Sequence, residues 1–246
     1  MKVDLLQIRT LIAKINNDPE IDVVLSSLLF SSLVYFSDEF IEKTMLGLGI
    51  TEAEYKIVEV PDGFKFMVIE FGDNTYVAFR GTLFKMWNNT KRVMNFFPKK
   101  GRDGVKLHRG FAMAFEDCNE ELQHLLAGDK PVVFTGHSLG GALALIASNH
   151  YNGSAVTFAS PNVFFNEKMD GKIHHVGYRI KGDPVPHLPM TTFFLVWSRA
   201  KFEFMLKSDK FYINQFEYHS LGMYIKHLME RYEPLQGKTR QPLTNF

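Results

Sequence analysis

The sequence predicts an α/β fold, a mostly parallel central sheet with helices on both faces, and three observations carry that reading. Strand-like and helix-like segments alternate from about residue 107 onward, the pattern of repeated β-α-β units. Before them, residues 64–71 and 75–79 are rich in β-branched and aromatic side chains and are separated by Gly72-Asp73-Asn74, which reads as an antiparallel hairpin. The 246 residues are 46% hydrophobic and 22% charged, near the averages for globular chains, so one domain over 1–246 is expected rather than disorder, collagen or coiled coil.

Each element has a local cause. Leu5, Ile8, Leu11, Ile12 and Ile15 recur at helical spacing until Asn17-Asp18-Pro19 breaks the pattern. Asp22 can cap a second helix over about 23–35, too short and too rich in serine to span a bilayer, and therefore expected to be buried. A polar stretch leads to the hairpin. Residues 107–126 then read as a helix, 131–135 as a short apolar strand, 139–151 as a helix of small and apolar residues, and 155–159 as a strand. Residues 173–180 and 211–217 read as further strands, and 220–232 as an amphipathic helix with Leu221, Tyr224, Ile225 and Leu228 on one face. The polar tail, 237–246, reads as frayed.

Charge and cysteine content narrow the function classes. Twenty-eight Lys and Arg against 27 Asp and Glu leave a net charge of +1, which supplies no global field for nucleic acid. A single cysteine, Cys118, cannot form an internal disulfide and favours a reducing compartment. Residues 1–11 carry Lys2, Asp4 and Arg9 without an apolar run, so neither a signal peptide nor a spanning segment is expected, and the expected location is cytoplasmic, with signal-independent export left open. His174 and His175 point to opposite faces of a strand, and no HExxH or Cys-rich spacing occurs, so no metal site and no cofactor are expected.

The informative segment is Val132-Val133-Phe134-Thr135-Gly136-His137-Ser138-Leu139-Gly140-Gly141-Ala142. A strand runs into G-x-S-x-G and directly out into a helix, the context of a nucleophile elbow. Gly136 and Gly140 make room for a tight turn that lifts Ser138 above the sheet with its Oγ exposed, while free helix N-terminal N–H groups favour negative charge beside it. Ser138 could instead simply cap the helix. A serine nucleophile requires a base and an orienting acid, and α/β hydrolases carry them in the order Ser, then Asp or Glu, then His. Asp183, between Gly182 and Pro184 after strand 173–180, lies at the carboxyl edge of the sheet, the side on which such folds bind ligands. Of the later histidines, His187 is four residues from the acid and His227 is in mid-helix, which leaves His219 as the base. The competing roles are a turn residue for Asp183 and a structural histidine for His219.

With these residues in place the chain resembles the class 3 (fungal-type) lipases. The resemblance rests on Val77-Ala78-Phe79-Arg80-Gly81-Thr82, Leu107-His108-Arg109-Gly110-Phe111, Thr135-Gly136-His137-Ser138-Leu139-Gly140-Gly141 and Gly182-Asp183-Pro184-Val185-Pro186-His187-Leu188-Pro189, in the family's order. It implies an α/β-hydrolase fold and hydrolysis of carboxylic esters, with Ser138, Asp183 and His219 as catalytic residues. It further implies that Thr82 and Leu139 supply the two oxyanion-hole amides; taken alone, Thr82 could be an ordinary strand-end threonine. The chain departs from the family where Ala159 replaces the usual Gly, where Asn162 replaces the usual Arg, and at Tyr218-His219-Ser220-Leu221-Gly222, which lacks the common His-x-Gly pattern.

Residues 83–97 carry Leu83, Met86, Trp87, Thr90, Val93, Met94 and Phe97 at three- and four-residue steps, with Lys85, Lys91 and Arg92 mostly on the other side. The family places a lid helix here, and the periodicity alone equally allows a helix packed permanently in the core. Residues 191–211 bring Phe193, Phe194, Phe202 and Phe204 between acid and base, either as two strands or as an acyl-pocket wall. With 23 Phe against 9 Tyr and 2 Trp, the aromatic content suits a packed core or a greasy ligand. The leading expectation is a serine hydrolase acting on lipid esters as a triacylglycerol lipase or phospholipase, with transient contact at a lipid interface and no reading of oligomeric state. A soluble short-chain carboxylesterase and a catalytically silent lipid-binding or adaptor protein on the same fold are the alternatives.

Overall fold

The computed structural model describes residues 3–17, 22–61, 63–81, 97–101, 104–126, 128–165, 174–189, 197–198, 203–208 and 214–232. The first two helices form where the periodicity places them. Helix α1 (Leu5–Asn16) begins with a capping box in which Asp4 and Gln7 satisfy each other's amides, and it buries Ile8, Leu11 and Ile15. Helix α2 (Val23–Leu33) is capped by Asp22, which accepts from the amides of Val24 and Leu25, and it is buried on every side but its first residue. Helix α3 (Asp38–Gly47) occupies part of the stretch read only as polar; it buries Ile41, Thr44 and Met45 and leaves acidic residues in its first turn.

The main sheet has seven strands in the order β1-β2-β3-β6-β7-β9-β11. Strands β1 (Tyr55–Glu59), β2 (Lys65–Phe71) and β3 (Asn74–Phe79) form an antiparallel edge, with Glu70 opposite Thr75 beside the turn. Strands β3, β6 (Val132–His137), β7 (Ser154–Phe158), β9 (His174–Ile180) and β11 (Glu203–Leu206) are parallel neighbours. The α/β reading is therefore borne out, with a mostly parallel sheet. A second sheet, β10-β8-β5-β4, is built from short strands: β4 (Pro98–Lys100), β5 (Lys106–His108), β8 (Phe164–Phe165) and β10 (Trp197–Ser198). Strands this short leave almost no periodic signal in a sequence.

Alternation along the strands sorts the core into two layers. Met67, Ile69, Tyr76, Ala78, Val133, Val156 and Phe158 face α1, α2 and the last helix, α6 (Leu221–Tyr232). Phe66, Val68, Val77, Phe79, Phe134 and Ala155 face α4 (Arg109–Leu125) and α5 (Leu139–Tyr151). Phe30, Phe66, Phe79, Phe134, Phe158 and Phe164 are wholly buried, and each contributes about 1.5–3 kcal/mol of hydrophobic free energy, so these members of the Phe surplus are explained by packing. The serines of α2 are buried too; Ser31 Oγ lies 2.8 Å from Thr135 Oγ1, which donates to the carbonyl of Val156 at 2.8 Å. Small side chains thus let α2 approach β6 closely, with the hydroxyls of Ser31 and Ser32 paired, Ser32 Oγ donating to the carbonyl of Leu28 at 2.7 Å. Cys118 is buried in the second layer, where desolvation pushes its thiol up to about 12.

Several expectations are corrected. The helix read over 107–126 begins at Arg109, because Lys106–His108 pairs with β4 and β8, and His108 then caps α4 by accepting from the Phe111 amide. Residues 215–217, read within a strand, form a 3-10 turn that Asn214 caps through the Phe216 amide, while 211–213 lie outside the described residues. The strands expected across 191–211 exist as β10 and β11 but belong to different sheets. The tail at 237–246 lies outside the described residues. Among the described residues no helix is long and apolar enough to cross a membrane.

Buried histidines make stability depend on pH, and two of them, His108 and His175, lie away from the serine elbow. Desolvation lowers His108 to about 4 and His175, which pairs through Nε2 with Thr157 Oγ1 at 2.8 Å, to about 3. Below about pH 6.5 the unfolded chain takes up protons that these folded imidazoles refuse, so stability falls on acidification by up to about 1.4 kcal/mol per pH unit for each histidine. Denaturant unfolding followed from pH 7 to pH 5 is expected to show that decline, and His175→Gln is expected to flatten its slope by one histidine's share. An unchanged slope would contradict the assignment.

Candidate active site

Ser138 stands at the end of β6 with φ 60° and ψ −127°, a left-handed backbone in a non-glycine residue. The turn holds because its neighbours lack side chains. A Cβ on Gly136 would run into the backbone of Gly140, and one on Gly140 would run into the carbonyl of Phe79 in β3. The Ser138 amide donates to the carbonyl of Phe158 at 3.0 Å, tying the elbow to β7. Its side chain makes no capping bond, so the capping role is not the one it plays. Ser138 is only 5% exposed, against the expectation of an open hydroxyl, and the imidazole of His219 stands against its Oγ.

The structure brings together the three residues picked from separate loops. His219 Nε2 lies 2.8 Å from Ser138 Oγ, and His219 Nδ1 lies 2.9 Å from Asp183 Oδ2 and 3.1 Å from Oδ1. Asp183 follows β9 at the carboxyl edge and is 1% exposed. Its carboxylate also accepts from the Val185 amide at 3.0 Å and from the Tyr224 hydroxyl at 2.8 Å. An acceptor-only carboxylate fixes the tautomer: Nδ1 carries the proton, and the Nε2 lone pair faces the serine. Such an arrangement can withdraw the hydroxyl proton as Oγ becomes a nucleophile. The Leu139 amide is the first of α5 and has no partner among the described residues, as expected of a helix N-terminus. Thr82, Met86, Trp87, Val93 and Met94 lie outside the described residues. Phe97, the end of the expected lid segment, is 74% exposed just before β4 and is not a core residue. Among the described residues no group of His, Cys, Asp or Glu is placed to hold a metal.

Three participants were not singled out in the sequence. Tyr224 was read only as part of an apolar stripe, yet its hydroxyl accepts the Ile180 amide at 3.1 Å as it donates to Asp183. His137 is buried one residue before the serine, and its Nε2 lies 2.9 Å from the carbonyl of His219. Burial, and secondarily the neighbouring His219, hold its pKa well below the usual histidine value, so it stays neutral beside the base. Tyr35, just beyond α2, accepts the Gly81 amide at 2.9 Å. Two of the departures also have addresses: Ala159 has φ 54°, the left-handed backbone for which glycine is suited, and Asn162 ties the 188–189 loop through Leu188 and Pro189. Phe204 stacks on Tyr178 at 5.3 Å along the edge strand, so packing on the sheet accounts for it, while Phe96, Phe193, Phe194 and Phe202 lie outside the described residues.

The sheet order, the strand-to-helix elbow and the Ser-His-Asp arrangement at its carboxyl edge define an α/β-hydrolase. Within that class, residues 76–193, a stretch that ends before His219, match the family model described as Lipase (class 3). The chain is 32% identical over 139 residues to a lipase of Rhizopus niveus, a match covering 48% of this chain and 35% of that protein. The solved triacylglyceride lipase of Rhizomucor miehei is 20% identical, with a TM-score of 0.53 over 83% of this chain and 82% of that one. A fungal lipase–inhibitor complex, described as a model for interfacial activation, is 19% identical, with a TM-score of 0.54 over the same shares of the two chains. At such identities the solved structures establish the fold.

Tyr224→Phe strips one donor from the Asp183 carboxylate and leaves the Ile180 amide unsatisfied in the core. It is expected to lower the unfolding free energy by about 1–3 kcal/mol in denaturant titrations; a loss below about 0.5 kcal/mol would mean that other groups take over both bonds.

Proposed function

We propose that this chain is a cofactor-free serine hydrolase that cleaves the carboxylic esters of lipids, of the triacylglycerol lipase or phospholipase A type. The observation that carries the reading is the unbroken line from Asp183 through His219 to Ser138 Oγ, with His219 Nε2 2.8 Å from the hydroxyl. In this reaction Ser138 Oγ attacks the ester carbonyl as Nε2 takes its proton. The charge that develops on the carbonyl oxygen is held by the Leu139 amide at the start of α5 and by the Thr82 amide that the family resemblance assigns. His219 then protonates the leaving alcohol, and water activated by the same nitrogen releases the acid from the acyl-enzyme. The Asp183 carboxylate holds the imidazolium in place.

Lipid esters as substrates are supported by the class 3 kinship over residues 76–193. Transient contact with a lipid interface is supported by the exposed Phe97 at the end of the segment in which the family carries its lid.

Ser138→Ala is expected to lower turnover of a p-nitrophenyl ester by several powers of ten, roughly the 10⁶ lost when the nucleophile is removed from a comparable hydrolase. A fluorophosphonate probe is expected to form its adduct on Ser138. Near-normal hydrolysis by the alanine variant, or an unlabelled Ser138 with and without detergent, would overturn the reading. A lipase is further expected to gain activity as its substrate passes the solubility limit, and a flat response there would favour the short-chain esterase.

A further inference from the structure

Gly81 is the last described residue of the loop that leaves β3, and it directly precedes Thr82. Its surroundings are unusually tight. A Cβ built there would meet the Tyr35 hydroxyl, would lie 2.5 Å from the carbonyl of His137, and would lie 3.3 Å from Ser138 Cβ. The backbone of Gly81 is thus wedged between a tyrosine hydroxyl and the serine elbow, and a side chain would push it away from both.

The polar contacts at this wedge run in one sense. The Gly81 amide donates to Tyr35 Oη at 2.9 Å. The Tyr35 hydroxyl proton is directed to His137, whose carbonyl oxygen and Nδ1 both lie 3.4 Å away. His137 Nε2 faces the carbonyl of His219 at 2.9 Å, so Nε2 carries the ring proton and Nδ1 is left as an acceptor. The rings follow the same order, with the His137 centroid 6.3 Å from that of Tyr35, edge to face, and 4.6 Å from that of His219. Each group in this chain donates onward, an alignment in which hydrogen bonds reinforce one another. It joins the β3 loop, the elbow and the base loop, three segments brought together only by the fold.

We propose that Tyr35 is a positioning residue for ester hydrolysis: its hydroxyl locks the Gly81 backbone against the Ser138 elbow and, through His137, fixes that loop relative to His219. The proposal rests on the serine-hydrolase reading. It assigns Tyr35 to the geometry in which the tetrahedral oxyanion is held, because the residue it clamps is the one before Thr82. Among the described residues the Tyr35 hydroxyl bonds Gly81 and His137 and neither Ser138 Oγ nor His219 Nε2, so its removal should act on the transition state and leave substrate binding almost untouched.

The test is Tyr35→Phe, assayed on p-nitrophenyl butyrate well below the variant's unfolding temperature. Expected are a kcat lowered roughly 10- to 100-fold with KM within about twofold, since misplacing an oxyanion donor costs less than deleting it. A trifluoromethyl ketone, which forms a tetrahedral oxyanion on the serine, should lose affinity in parallel with kcat/KM, while an unreactive ether analogue of the substrate should keep its affinity. A loss of kcat with no change in trifluoromethyl ketone affinity, or wild-type kcat in the variant, would overturn the assignment of Tyr35. Wild-type protein that neither hydrolyses the ester nor binds the ketone would instead overturn the underlying hydrolase reading. If the variant does not fold, amide exchange in the wild-type protein decides: the Gly81 amide should be protected like the β3 strand beside it, and exchange at the rate of an exposed loop would overturn the proposal.

Discussion

At Ser138 an L-residue is held at φ 60°, a conformation that costs about 1–2 kcal/mol and persists only where its surroundings over-determine it. The surroundings are the glycine contacts of β6 and α5, the bond from the Ser138 amide to Phe158, and the approach of Gly81. This turn is what ends β6 and begins α5 with no loop between them. It sets the position of the free helix N-terminus, the direction of the serine hydroxyl and the distance to β3 in one step. Relaxing it would move the hydroxyl and the Leu139 amide together.

Around this turn the chemistry depends on a buried polar network with nearly every member satisfied. Asp183 is a buried carboxylate that accepts from an imidazole, a backbone amide and a phenol. A charge placed there without those donors would cost several kcal/mol. Tyr224 on α6 and Val185 beyond β9 therefore belong to the candidate site as much as to the core. His137 sits between Tyr35, Tyr224 and His219, and its neutrality spares the proposed base a like charge at close range. The two helical layers, α2 on one face and α5 on the other, meet at this edge of the sheet, so packing on both sides bears on one site.

Legibility in the sequence followed the length and regularity of each element. Helices α1, α2 and α6 and strands β2, β3, β6 and β9 were readable because caps, periods and turn residues agreed. Helix α3, strand β1 and the small second sheet were not, since elements of two to five residues and a helix of low contrast leave weak patterns. Ser138 was legible because the turn demands glycines at fixed offsets, and Asp183 because it follows a strand at the ligand-binding edge. His219 was found by elimination, and the last three residues of the strand expected before it form a 3-10 turn. Tyr35, His137 and Tyr224 carried no signal of their own: a tyrosine in an apolar stripe looks the same whether its hydroxyl faces solvent or a buried carboxylate.

The sequence by itself determined the layer order, the elbow and the resemblance to class 3 lipases, because each depends on residues close together in the chain. The tertiary structure decided everything that depends on contacts across the chain. It set the burial of Ser138, the partners of Asp183 beyond His219, the use of Phe204 in sheet packing, and the hydrogen-bonded line from Gly81 through Tyr35 and His137 to His219. The physical reason is separation: Tyr35 and His137 are 102 residues apart and His137 and His219 are 82 apart, so only the fold brings them together.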